Sequence, residues 1–180
     1  MAGTSTPEPV KYFVAVLYTD AAALTDACAA LVEAFGPIDC EGPDRPFDRT
    51  DYYEKEMGAN LTRRLLAFST LRTPEDLSNA KQTCNRIEDA LSLPSPLPAR
   101  RVNLDIGYLD HNKIVLASAK GAGQKIYLSG GIYADLIARY AHGRYQPFEW
   151  TFPDFKDGRY DEELGKLRTL YLQQVKQIRH

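Results

Sequence analysis

The run Val10–Tyr18, VKYFVAVLY, is apolar at both alternating sets of positions. A strand with one wet face alternates apolar and polar residues, so this one must be covered on both sides in the middle of a sheet. Thr19 or Asp20 then caps a helix whose apolar positions Leu24, Ala27, Cys28, Leu31, Val32 and Phe35 keep steps of three and four, and Gly36-Pro37 stops it. Thr62–Ser69 reads as another strand, and Ile38–Phe47 as extended chain broken by Gly42-Pro43 and Pro46. Thr73-Pro74-Glu75-Asp76 has the N-cap, the proline and the acids of a helix start. Behind it Leu77, Ala80, Cys84, Ile87 and Leu91 form one apolar stripe, ended by Pro94, Pro96 and Pro98, which make a stiff link.

Arg100–Leu109, RRVNLDIGYL, alternates strictly: Val102, Leu104, Ile106 and Tyr108 point one way, and Arg101, Asn103, Asp105 and Gly107 the other. The order β-α-β-β-α-β is that of a ferredoxin-like core in an α+β protein. Its two helices cover one sheet face and leave the other for a partner, a ligand or an extra element. Lys113–Ala119, Lys125–Leu128, Ile132–Tyr140 and Arg144–Phe148, separated by glycine turns, predict an antiparallel β-meander that continues the sheet or covers that face. Lys113–Ala119 also suits a helical turn. Asp161–Ile178 is an amphipathic helix on Leu164, Leu167, Leu170/Tyr171, Val175 and Ile178. The expected organisation is a tail over 1–9 and a single domain over 10–180: core 10–109, meander 110–150, and the segment 151–180 with the C-terminal helix.

Composition bounds the function. The 180 residues have a net charge of −2, and no basic field or RNP-type aromatic pattern draws the chain to nucleic acid. No apolar run reaches membrane-spanning length. The opening Met-Ala-Gly-Thr-Ser-Thr-Pro-Glu-Pro has neither a cationic start nor an apolar segment, and Ala2 replaces the glycine of a myristoylation signal. Cys28, Cys40 and Cys84 form no C-x-x-C, and two fall on helix stripes, which points to inert thiols and a cytoplasmic home. Residues 1–90 hold 9 Lys and Arg against 15 Asp and Glu, net −6, and residues 91–180 hold 13 against 9, net +4. An acidic surface can therefore face a basic one within the molecule or across a homodimer.

Three groups can carry chemistry. Arg101, Asn103 and Asp105, side by side on one strand, combine a guanidinium for an anion with a carboxylate for a hard cation such as Mg²⁺. In Asp48–Met57, if Tyr52–Met57 is extended, Tyr52, Glu54 and Glu56 share one face, and Glu54 and Glu56 with Asp105 become candidate acid–base residues. Lys113, Lys120, Gly121, Gly123 and Lys125 can cradle a phosphate, although the chain has no P-loop sequence and a tight turn explains the glycines equally. Sparse histidines (His111, His142 and His180) exclude the usual zinc spacings. Tyr52, Tyr53, Tyr127, Tyr133, Tyr140 and Tyr145 suit a binding surface or a half-buried sheet.

The blocks PVKYFVAVLYTD, FGPIDCEGPDRPFDRTDYYEKEMG, RRVNLDIGYL, GGIYADL and EWTFPDF resemble an uncharacterised prokaryotic family, domain of unknown function 4416, over nearly the whole chain. That resemblance implies no established activity; its members at times carry a GTP-binding label. A smaller likeness is to hydroxymethyl-dihydropterin pyrophosphokinases: PEDL (Pro74–Leu77) followed by Arg100, Asn103 and Asp105 is similar to their PEEL helix and Arg-x-x-Asp-x-Asp strand. It implies Mg²⁺ on Asp105, with Asn103 standing where the first aspartate would be. The expected activity is binding of a nucleotide or another phosphorylated small molecule on the open sheet face, with Mg²⁺-assisted phosphoryl transfer. Arg101, Lys113, Lys120 and Lys125 would contact phosphate. The other expectation is a non-catalytic interaction or oligomerisation module.

Overall fold

A computed structural model describes residues 3–94 and 100–179, so the readings that rest on Ala2, on Pro96 and Pro98, and on His180 fall outside the described residues. Along the chain come β1 (Lys11–Tyr18), α1 (Ala21–Phe35), β2 (Ile38–Glu41), β3 (Arg45–Pro46), α2 (Glu54–Met57), β4 (Thr62–Phe68) and α3 (Leu77–Leu91). Then follow β5 (Val102–Leu109), β6 (Lys113–Ser118), β7 (Ile126–Ser129), β8 (Ile132–Ala141), β9 (Arg144–Pro147), α4 (Pro153–Lys156) and α5 (Asp161–Ile178). All nine described strands join one sheet in the order β2-β4-β1-β5-β6-β8-β7, with β3 on β4 and β9 on β8. Every pairing is antiparallel.

β1 is central and buried at every position. Its alternate residues feed two cores. Tyr12, Val14 and Val16 join Val102, Leu104 and Ile106 beneath α1 and α3. Phe13 and Ala15 join Leu65, Ala67, Ile114 and Leu116 beneath α4 and α5, whose Phe155, Leu164, Leu167, Tyr171 and Val175 complete that layer. Asp20 caps α1 by accepting from the Ala23 N–H at 2.8 Å, and Gly36 closes it with φ +93°. Pro74–Asp76 enters α3 as a 3₁₀ turn.

Three expectations are corrected. The second sheet face is not open: α4 and α5 cover it, because the apolar stripe of Asp161–Ile178 finds Phe13, Ala15 and Leu65 as its complement. Tyr52–Met57 is not extended; Glu54–Met57 is a helical turn, and residues two apart on a helix point to different sides, so Glu54 and Glu56 do not share a face. Lys113–Ser118 is a strand and not a helical turn, because its alternating residues feed both cores. The meander continues the sheet. A buried lysine helps to seat α5: Lys11 Nζ donates to the Asp39 carboxylate (2.8 Å), the Phe68 carbonyl (2.9 Å) and Gln174 Oε1 on α5 (3.1 Å).

The cysteines carry no disulfide among the described residues. Burial pushes the Cys84 thiol up to about 12, as an inert core residue requires. No described helix is long and apolar enough to cross a membrane.

Candidate functional site

β1 and β5 pair over eight positions, but β5 and β6 pair over three, with Gly107, Tyr108 and Leu109 facing Leu116, Val115 and Ile114. Gly107 permits that close approach: a Cβ there would lie 2.4 Å from the Val115 carbonyl oxygen. Beyond it the strands part. The backbone of Leu104, left without a strand on that side, is satisfied from α3: its N–H donates to Glu88 Oε1 (2.6 Å) and its carbonyl accepts from Lys81 Nζ (2.8 Å). Both side chains are buried, and their bonds meet the demand that interior backbone groups be paired. The parted strands leave a cleft of about 270 Å³ with Asn103 and Asp105 on one wall and Leu116–Lys120 on the other. Tyr52, Tyr53 and Glu56 approach from the α2 segment, and Phe152 from the turn before α4.

Charges in the cleft are tied together. Arg100 donates to Glu56 Oε2 (3.0 Å), to Asn103 Oδ1 (2.6 Å) and to Glu88 Oε2. Asp105 Oδ2 accepts from Arg63 (2.9 Å), which also donates to Asp154 Oδ2 (2.6 Å), where the Tyr160 hydroxyl donates at 3.1 Å. The Arg63 guanidinium lies 4.5 Å from the centroid of the Phe47 ring. Burial, with Asp105 nearby, drives the Tyr53 phenol far above its ordinary value, so it stays protonated. Asn103 is only 3% exposed, yet its Nδ2 has no hydrogen-bond partner among the described residues. Arg100 fixes that orientation, since a flipped amide would set donor against donor.

The expected site residues divide. Asn103, Asp105, Glu56 and Lys120 line the cleft. Lys125 sits at its edge, donating to Ser118 Oγ at 2.9 Å and lying 3.7 Å from Asp135. Arg101 is drawn away to α1, 2.8 Å from Asp26. Lys113 pairs with Asp110 at the far end of β6, and Glu54, exposed at the start of α2, lies outside the cleft lining. Gly121 lies where a Cβ would strike the Tyr133 ring at 2.2 Å, and Gly123 turns with φ +64°, so packing and turn geometry account for both. Sequence reasoning missed Lys81, Glu88, Asn85 and Asp135. For the first two a signal was there: Leu77, Lys81, Cys84, Glu88 and Leu91 step by four and three, placing two charges on the buried face of α3.

The donor set does not fit a magnesium ion held by the protein alone. Asp105 shares its carboxylate with Arg63 and Glu56 with Arg100, and no three His, Cys, Asp or Glu side chains come together to hold a metal among the described residues.

Fold and cleft define an α+β protein with a wide antiparallel sheet, helices on both faces, and a polar cleft where two strands separate. Residues 8–171 match the family described as "Domain of unknown function (DUF4416)", and the chain belongs to that family. No curated protein and no solved structure matches the chain, and the likeness to pyrophosphokinases therefore has no support from them.

Proposed function

We propose that the β5–β6 cleft binds a phosphorylated small molecule, with nucleotides as the leading class. The observation that carries this is Asn103: a buried amide donor without a partner, lining a cleft, is stabilised by a ligand that brings an acceptor. Exposed rings of Tyr52 and Phe152 and the ammonium of Lys120 in the same lining support it. The reading is of binding. Asp105 and Glu56 serve here as partners of Arg63 and Arg100. For the fold we propose a ferredoxin-like core of β1, β2, β4, β5, α1 and α3, on the strength of the order β2-β4-β1-β5; unpaired cysteines support a reducing, cytoplasmic setting.

Thermal unfolding against nucleotides and sugar phosphates, each with and without Mg²⁺, tests the reading. A ligand at 100 times its Kd adds about 2.7 kcal/mol, a rise of roughly 5–10 °C for a domain of this size. A flat response across the set overturns it. A second reading, self-association, is favoured by the edge strand β7, whose Ile126, Tyr127 and Leu128 are all exposed. A dimer at micromolar concentration that Tyr127→Lys dissociates supports that reading; a monomer across the range removes it.

A further inference from the structure

We infer that the ligand enters this cleft with its neutral, ring-bearing end inward at Asn103 and its anionic end outward at Lys120, as a nucleoside monophosphate would. The inference rests on the proposed binding function and assigns an orientation to it. Around Asn103 every charge is already answered. Arg100 is held by Glu56 and Glu88, Lys81 by the Leu104 carbonyl and Glu88, and Asp105 by Arg63. With Arg100, Lys81 and Arg63 already engaged, that end has no free cation to offset the cost of burying a phosphate dianion. A neutral carbonyl oxygen or ring nitrogen meets no such penalty and satisfies the idle Nδ2 donor.

At the rim the balance reverses. Lys120 has no carboxylate within salt-bridge distance among the described residues, and its Nζ sits 4.2 Å from the Tyr52 ring centroid. Tyr52 is about half exposed, as is Phe152, and both line the cleft, offering flat apolar faces to a planar ring. The Lys120–Tyr52 contact also bridges the two rims, one from the β6–β7 loop and one from the α2 segment. Asn103 Nδ2 is closed off from solvent in this form, so a ligand that reaches it must part the rims of the cleft, which the Lys120–Tyr52 contact joins. A cation–π contact between exposed groups is weak enough to yield, and Lys120 is then released to the incoming anion.

Calorimetric titration of the full chain with adenosine, guanosine, cytidine and uridine, their 5′-monophosphates and inorganic phosphate tests the orientation. Asn103→Leu should weaken the best nucleoside and its monophosphate alike by about tenfold, the worth of one good hydrogen bond, and leave inorganic phosphate unchanged. Asn103→Asp keeps an acceptor for Arg100 while removing the donor, and should give the same nucleoside loss, with circular dichroism checking its fold; its added charge confines its readout to the neutral nucleoside. Lys120→Met, on an exposed loop, also removes the bridge to Tyr52, so its readout is the ratio of monophosphate to nucleoside affinity, which should fall about tenfold. If Asn103→Leu weakens inorganic phosphate as much as the nucleoside, or if Lys120→Met leaves the monophosphate-to-nucleoside ratio unchanged, the orientation is overturned while the binding function stands. If neither nucleosides, monophosphates nor phosphate bind the wild-type chain, the orientation is overturned, and a flat thermal response to the sugar phosphates as well removes the binding function.

Discussion

At the scale of single residues, the chain concentrates its buried charge on Arg63. Its guanidinium joins Asp105 of β5 to Asp154 of α4, and Arg63 and Asp154 are both 2% exposed. Arg63→Met leaves two carboxylates without their cation and should destabilise the fold by about 3–5 kcal/mol. Adding Asp154→Leu should recover part of that loss, because one stranded charge is removed with its partner; urea unfolding of the single and double variants reads both. A second residue carries a pH dependence. Hydrogen bonding from Arg159 holds the Asp157 carboxyl down at about 2 against an ordinary 3.8. A depressed folded value means that its stabilisation is complete above the ordinary value and is lost as pH falls through about 2. Carboxyl ¹³C NMR should follow Asp157 titrating near that point, and Arg159→Gln should return it toward 3.8.

Among the elements, β5 and α3 decide where the cleft lies. Gly107→Ala would drive a Cβ to within 2.4 Å of the Val115 carbonyl oxygen, and backbone cannot step aside as a side chain can. The expected cost is about 1–3 kcal/mol or more, measured by denaturant titration; an unchanged midpoint would show that β5 and β6 can move apart at no cost. This glycine reads in the sequence as one more residue on the polar face of RRVNLDIGYL. Strands and helices with long apolar patterns, β1, α1, α3, β5 and α5, were legible because burial imposes its period on many residues at once. Glu54–Met57 was not, since one helical turn is too short to show a period. The cleft was half legible. Alternation alone placed Asn103 and Asp105 side by side, but Lys120 joins them through the separation of β5 from β6, which no local pattern encodes. Arg101 shares their alternation, yet it sits beyond the strand end, where Asp26 of α1 competes for it.

For the molecule as a whole, the uneven charge of its two halves resolves internally. Asp26 faces Arg101, Glu56 and Glu88 face Arg100, and Asp48 faces Arg159, so acids of the first half meet cations of the second. Asp48–Arg159, Arg49–Asp157 and Arg63–Asp154 tie the acidic stretch and its neighbours to the C-terminal segment. That segment is also what closes the second core. A chain ending at Gly158 would uncover Phe13, Ala15, Leu65 and Ala67, the apolar floor of the second core. Such a truncation should bind a hydrophobic dye and lose cooperative unfolding, as size-exclusion chromatography and a melting curve would show; a compact, dye-silent monomer would mean that α5 is an accessory.

A sheet with eight pairs on one side of β5 and three on the other has a line along which it tears. Pulled apart by its outer edges, it should part between β5 and β6 first, starting from the open end beside Asn103, while β1 keeps both of its neighbours. With no force applied, the same line sets an order in time. Amide protons bridging β5 and β6 should exchange with deuterium ahead of those bridging β1 and β5, and a molecule wedged between the parted strands should slow the first set while leaving the second untouched.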